Sequence, residues 1–310
     1  MTHNIITDDV DDHALVAPSL VRRVFTLIAI LVPLAGMILA MALLWERGFA
    51  WVELALFLGM YVATGLGITV GFHRLFAHKS FSCGPVVTAT LGILGSMAVE
   101  GPLLRWVSFH RCHHQHSDDE GDPHSPHGYG GGFWGSIKGF WNAHIGWMFK
   151  PAALRINKYT PDLQRSKLVR RISLLFPLWV LVSMLVPTVL GGVISLSWSG
   201  ALFGFLWGGL VRIAFVHHVT WSVNSICHLW GTRPYQSNDL SRNNFIVGVL
   251  AFGEGWHNNH HGFPTSARHG LKWWQPDLSW TVIWILSKLG LVWNVRLPSA
   301  ERLAARRRAS

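Results

Sequence analysis

The sequence predicts an all-α integral membrane protein: four transmembrane helices in two hairpins, joined to a helical cap on one side of the bilayer. Three observations predict it. Half of the 310 residues are hydrophobic and only 14% are charged, a balance too apolar for an ordinary soluble domain. Seventeen tryptophans suit a chain that meets membrane–water interfaces repeatedly. Four long apolar runs fall into two closely spaced pairs, and histidines crowd the polar stretches that follow them.

Residues 1–20 are polar, with Asp8, Asp9, Asp11 and Asp12 clustered and no basic opening segment; they read as a disordered tail and not as a signal peptide. A single domain then covers 21–295. Phe25 to Trp45 is unbroken apolar sequence, long enough to cross roughly 30 Å of hydrocarbon. Glu46-Arg47-Gly48 makes a turn and Trp51 to Val70 returns, giving spans at 25–45 and 51–70. Residues 85–104 are apolar but broken by Gly92, Gly95, Gly101 and Pro102, which fits a buried or re-entrant helix. Residues 117–150 form a polar, Gly/Pro-rich stretch, and 150–171 are basic. A second hairpin, with spans at 172–196 and 201–219, turns at Ser197-Trp198-Ser199-Gly200. Leu278 to Val292 is amphipathic and Trp-rich, a helix suited to lie in the interface. The cap therefore comprises 71–171 and 220–295, and 296–310 is a basic tail ending in Arg306-Arg307-Arg308.

The formal charge of +10 would raise nucleic-acid binding in a soluble chain. Here the basic residues flank apolar spans, so a membrane surface or an acidic partner is the better fit. Of 26 Lys and Arg, Arg47 falls in an outer turn and Arg212 inside the fourth span; the other 24 lie on the side of both termini. The positive-inside rule makes that side, with its histidines, cytoplasmic. Cys83, Cys112 and Cys227 are isolated and imply no disulfide framework.

The histidines carry the chemistry. His110, His113 and His114 stand at i, i+3 and i+4, and His257, His260 and His261 repeat that spacing, which gathers imidazoles on one helical face. His73 and His78 form a looser pair at i, i+5. Imidazole-rich, carboxylate-poor ligation suits Zn, Cu, Fe or Ni and not Mg or Ca. Eight or more nitrogens exceed one ion's needs and predict two metals. A structural zinc would want four ligands, usually with Cys, and the HExxH of zinc proteases is absent. Soluble di-iron bundles use two Glu-x-x-His motifs; the chain has one such match, Glu254 to His257, so Glu254 reads as a carboxylate orienting an imidazole.

Gly67-Ile68-Thr69 leading to HRLFAH, then WVSFHRCHH, Asp122-Pro123-His124, AHIGW, NSICH, RPY and GEGWHNNHH resemble the membrane fatty-acyl desaturases, in particular the acyl-CoA Δ9 (stearoyl-CoA desaturase) type. The resemblance covers roughly residues 25–295 in order. It implies a four-helix stem with a cytosolic cap holding two irons, ligated by His73, His78, His110, His113, His114, His228, His257, His260 and His261, with Asn224 acting through a water. It places Asp122, His124 and His144 beside Glu254 as supporting residues. The implied reaction uses O₂ and two external electrons to set a cis double bond in a long acyl chain.

A long apolar substrate needs a tunnel between the helices, and Gly65, Thr69, Gly208 and Val211 are candidates to line it. In the animal acyl-CoA enzymes Arg and Asp precede the second histidine box; here Ser108 and Phe109 stand there. Arg105, Lys150, Arg155 and Lys158 are the remaining candidates for an acyl-CoA head group. The chain shows no fused haem, ferredoxin or flavin segment, so a separate donor is expected: a ferredoxin, a cytochrome b5-like protein or a flavoprotein reductase. The short termini lean towards a bacterial enzyme. Two alternatives remain: a hydroxylase or monooxygenase on the same scaffold, and, remotely, a membrane metal transporter.

Overall fold

A computed structural model describes residues 17–48, 50–151 and 155–308; most of the expected N-terminal tail, residues 1–16, lies outside them. The described chain is mostly helical. Four helices are long and apolar enough to cross a membrane: α1 (Leu20–Arg47), α2 (Trp51–Ala77), α7 (Phe176–Ser195) and α8 (Trp198–Leu229). Between and after them come α3 (Pro85–Ser96), α4 (Leu103–His116), α5 (Gly132–His144), α6 (Lys167–Leu174), α9 (Phe245–Leu250), α10 (His257–Gly262), α11 (Leu278–Lys288) and α12 (Ala300–Ala305). One two-residue antiparallel ladder, Ser82–Cys83 with Val292–Trp293, ties the segment before α3 to the chain after α11.

The expected span limits move for physical reasons. α1 starts at Leu20 because Ser19 caps it, its hydroxyl accepting from Arg22 N. The third apolar helix starts at Phe176, not 172. Ser166 caps a separate helix, α6, and Pro177 sits in the first turn of α7, where its missing N–H costs nothing. α2 and α8 both run past their expected ends at 70 and 219. Those extensions carry His73 on α2 and Asn224 and His228 on α8. The apolar stretch 85–104 forms α3 and the first residues of α4, and the Trp-rich stretch from Leu278 forms α11, which stops at Lys288.

The last eleven residues of α2, Gly67–Ala77, are wound as a π-helix, in which the backbone bonds run from i to i+5. His78 N accordingly donates to His73 O at 3.0 Å. α3 lies directly against this segment: a Cβ on Gly67 would come within 2.2 Å of Gly95 N, so both glycines permit backbone contact. Arg212, buried on α8, donates to the carbonyls of Gly208 and Met97 and to the Ser183 hydroxyl. An unpaired buried cation is costly; here carbonyls and a hydroxyl from three elements satisfy it.

Candidate metal centre

The histidines meet where α2, α4, α8 and α10 converge. The i, i+5 pair closes because the helix is π-wound: the His73 and His78 ring centroids are 4.8 Å apart. α10 is only six residues long but buried throughout, and its asparagines face away from the metal side to anchor it. Asn258 bonds the backbone N and O of Tyr235. Asn259 bonds His269 O and the Asn243 and Gln275 side chains.

The second and third histidine boxes each divide between two clusters, while His73 and His78 stay together. His73, His78, His110, His114 and His260 form one; His113, His228, His257 and His261 form the other. Within each, the ligand atoms lie within 4.8 Å of one another. Ring nitrogens face each other closely: Nε2 of His78 and His110 at 2.7 Å, of His114 and His260 at 2.9 Å, of His73 and His260 at 3.1 Å, and of His228 and His257 at 3.0 Å. Metal–imidazole bonds of about 2.0–2.1 Å would set adjacent ligand atoms about 3 Å apart.

The donor chemistry decides that a cation fits. Asp122 lies 3.0 Å from His113 Nδ1, Asp118 2.8 Å from His228 Nδ1, Asp239 2.5 Å from His261 Nδ1, and Glu254 2.7 Å from His73 Nδ1. An ionised carboxylate only accepts, so each of these Nδ1 atoms carries the proton and each Nε2 presents a lone pair. His113 Nε2 and His261 Nε2 are buried without any partner. Inward-facing bare lone pairs are unfavourable unless a metal takes them. Burial also pushes His110, His114, His257 and His260 well below the ordinary imidazole range, favouring the neutral, ligating form. Burial would raise the Asp118 carboxyl, but its bond to His228 outweighs this and holds it at about 2. Asp122 and Asp239 are held lower still, by His113 and His261 against the same desolvation.

Glu254 orients His73 as expected, and it also reaches His269 Nδ1 at 3.1 Å and the buried Arg74 guanidinium at 3.3 Å. Arg74 is shared with Asp277 at 2.9 Å. His269, Asp118 and Asp239 carried no spacing signal. His124 packs on His113, with ring centroids 4.3 Å apart. His144 is a different case: its ring nitrogens go to Ser225 Oγ and His218 Nδ1, both at 3.0 Å, and not to a clustered imidazole. Asn224 sits one helical turn before His228 on α8.

Of the tunnel candidates, Gly65 and Thr69 line a mostly apolar cavity with Tyr61, Val216, Thr220, Phe252 and Glu254. Gly208 and Val211 do not. A Cβ on Gly208 would meet Pro187 and Leu56, and Val211 packs with Ala40, Phe203 and Leu206; both serve helix contact. Among the basic candidates, Arg105 lies over the Phe109 ring, 5.5 Å from its centroid, and Arg22 lies 6.0 Å from it. Lys150 bonds Tyr129 Oη at 2.7 Å, Lys158 lies over Tyr159, and Arg155 leaves a buried Nε without a partner.

Comparison with known proteins agrees with this arrangement. The family described as "Fatty acid desaturase" matches residues 49–283. The chain is 45% identical to a hex-5-enoyl-[acyl-carrier protein] acetylenase of Moorena producens, over 90% of this chain and 87% of that one. It is 40% identical to a chloroplastic palmitoyl-monogalactosyldiacylglycerol delta-7 desaturase of Arabidopsis thaliana, over 81% of this chain and 64% of the other. It is 41% identical to an sn-1 stearoyl-lipid 9-desaturase of Synechocystis, over 83% and 76%. The chain belongs to the fatty acid desaturase family.

Proposed function

We propose that the chain is a membrane-spanning, iron-dependent desaturase that places a cis double bond, at Δ9, in a long-chain acyl substrate. Both termini and the metal centre would lie on the cytoplasmic side. The observation that carries this reading is the cavity between α2 and α8: its walls are mostly apolar, and Glu254, which orients His73, is one of its lining residues. An acyl chain lying there would bring an unactivated methylene to the clusters.

Two irons would be held by the nine clustered histidines, with Asn224 available through a water, and would supply O₂ activation. Overall, two adjacent methylenes, O₂, two electrons and two protons become an alkene and two waters. The chain's own residues set the conditions. Asp118, Asp122, Asp239 and Glu254 fix four imidazoles in one tautomer and raise their basicity. Phe252, Val216 and Tyr61 exclude water from the cavity. Thr69 accepts from Ser279 Oγ at 2.7 Å, which ties α11 to the cavity wall.

The head group is read from donors without acceptors. Arg22 Nε and Nη2 and Trp147 Nε1 are buried and unpartnered, and Phe109 links them, with Trp147 5.3 Å from its ring. With Arg105 on the same ring, this favours an anionic head group bearing phosphate, a chemistry shared by acyl-CoA, the phosphopantetheine of an acyl carrier protein and phospholipids. The sequence reading favoured acyl-CoA; these contacts are equally suited to all three.

Expression in a host without its own desaturase, followed by fatty-acid profiling with double-bond localisation, tests the reaction. A Δ9 alkene is expected, and a hydroxylated chain would overturn the reading. An alkyne would align the chain with its acetylenase relative. Purified protein given acyl-CoA, acyl-carrier protein, phospholipid and a neutral galactolipid separates the head groups; turnover on the galactolipid alone would reject the phosphate reading.

A further inference from the structure

The basic C-terminal tail takes no part in the site described so far, yet it is fastened beside it. After α12, Arg306 O accepts from Gln236 N at 2.7 Å, Arg308 N donates to Pro234 O at 2.9 Å, and Arg307 forms an antiparallel bridge with Tyr235. The Arg306 guanidinium donates to Gly262 O at 2.6 Å and lies over the Phe263 ring, 6.0 Å from its centroid. Gly262 and Phe263 directly follow His261. Tyr235 packs edge-on against Phe263 at 5.1 Å.

The loop beneath this strap reaches the metal centre. Arg233 donates to the Asp239 backbone carbonyl, and the Asp239 carboxylate holds His261 Nδ1 at 2.5 Å. Arg242 and Arg308 are close enough to Arg233 to act on it electrostatically. Arg306, Arg307 and Arg308 are exposed, and none of the five arginines takes part in an ion pair found among the described residues. A cationic rim thus surrounds a two-residue path, Asp239 to His261, from the surface to the four-imidazole cluster. Exposed aromatics suited to a bilayer are carried by α5 (Phe133, Trp134 and Trp141) and α11 (Trp284), helices that supply none of these arginines.

We propose that Arg233, Arg242, Arg307 and Arg308, with the strap that presents the last two, form the docking face for an acidic one-electron carrier protein, and that electrons enter past Asp239 and His261. The inference rests on the desaturase reading, which requires two electrons per turnover. Two reduced carriers each dock, give up one electron and leave oxidised; the two electrons complete the reduction of O₂ to water, and no bond forms between carrier and chain. Unpaired rim arginines would speed and orient the encounter with a negatively charged face.

The test is a binding measurement without turnover. The full-length protein, in nanodiscs of uncharged lipid, is titrated with an oxidised plant-type [2Fe–2S] ferredoxin and with the soluble domain of an acidic cytochrome b5, at several salt concentrations. The protein should bind at least one of these carriers, with affinity falling as salt rises. R307Q/R308Q should weaken that binding about tenfold at low salt, as expected for two exposed charge pairs, and flatten the salt dependence. R242Q should weaken it less, and R302Q on α12 should stay within about twofold. Equal metal content and chromatographic profile establish that the variants are folded. Absence of salt-sensitive binding by the unmodified protein, or unchanged affinity in both R307Q/R308Q and R242Q, overturns the proposal. So does loss of binding to anionic vesicles with carrier binding intact, which would assign the patch to lipid head groups. Continued alkene formation in the expression host alongside any of these results would leave the desaturase reading standing and remove only the docking face.

Discussion

The two imidazole clusters are held by different means. In the four-histidine cluster, three of four rings have an aspartate each: His113 on Asp122, His228 on Asp118 and His261 on Asp239. In the five-histidine cluster only His73 has a carboxylate, and Glu254 divides itself among His73, His269 and Arg74. The remaining rings there are fixed by packing. His110 stacks on Trp106 at 5.1 Å with planes 17° apart, and His78, His114 and His260 meet edge to face. A carboxylate behind an imidazole fixes its tautomer and makes it a better donor; stacking fixes only its orientation. The aspartate-backed cluster should therefore hold its metal more tightly, and the packed cluster should exchange more readily.

Removing a ring gives the largest effect. His257→Ala in one cluster and His114→Ala in the other should each leave activity below about 1%, because losing a ligand exceeds the 10–100-fold cost of losing its supporting carboxylate. Iron analysis should show roughly half the metal retained in each, with His114→Ala leaving the tighter half. Full iron and activity in either variant would refute the ligand assignment.

Removing a carboxylate should separate the clusters further. Asp239→Asn should weaken metal binding about 10–100-fold with little change in stability, since Asp239 faces only His261 and its own loop. Glu254→Gln should weaken metal binding less, because its carboxylate is divided among three partners, but with the larger loss in stability. It takes a countercharge from the fully buried Arg74 and leaves Asp277 as its ionic partner, and breaking a buried pair costs about 3–5 kcal/mol. Competitive metal titration and thermal inactivation of the two variants check both halves. Equal metal affinity in the two would erase the distinction between the clusters.

Much of this was legible in the sequence. The apolar runs located all four long helices, and the i, i+3, i+4 spacings located imidazoles that the fold gathers into the two clusters. What spacing could not show was that the second and third boxes would divide while the first would not, because that depends on how α2, α4, α8 and α10 meet in three dimensions. The π-winding of Gly67–Ala77, which makes the His73–His78 spacing work, has no periodic signature in the sequence. Asp118 and Asp239 are ordinary loop residues until folding sets them behind His228 and His261. His269 likewise had no neighbouring histidine to mark it. Gly208 and Gly65 looked alike as small residues on apolar helices, and each is packed closely, by Pro187 and by Phe252; only the cavity that Gly65 helps to line distinguishes them.

Glu100 tests the packed cluster from behind. Its carboxylate accepts from Trp106 Nε1 at 3.0 Å, and Trp106 is the ring on which His110 stacks. Burial pushes this acid up from 4.5 to about 7, against smaller opposing bonds from Thr220 and Trp106. A folded pKa above the unfolded one means the group's contribution is fully present below about 4.5 and is lost as pH rises through 7. The rise from 4.5 to about 7 corresponds to about 3 kcal/mol. Asp118, held at about 2, works in the opposite sense and loses its contribution only as pH falls below its ordinary value. The aspartate-backed cluster is therefore acid-sensitive, and the support of the packed cluster is alkali-sensitive. Glu100→Gln keeps an acceptor for Trp106 without the charge. Its thermal stability in detergent should stay level between pH 5 and pH 8, where the unmodified protein should lose about 2.5 kcal/mol, with the iron content of both the same at pH 5. A Gln variant that keeps the alkaline loss would show that Glu100 is ionised in the folded protein, and that His110 rests on a charged support after all.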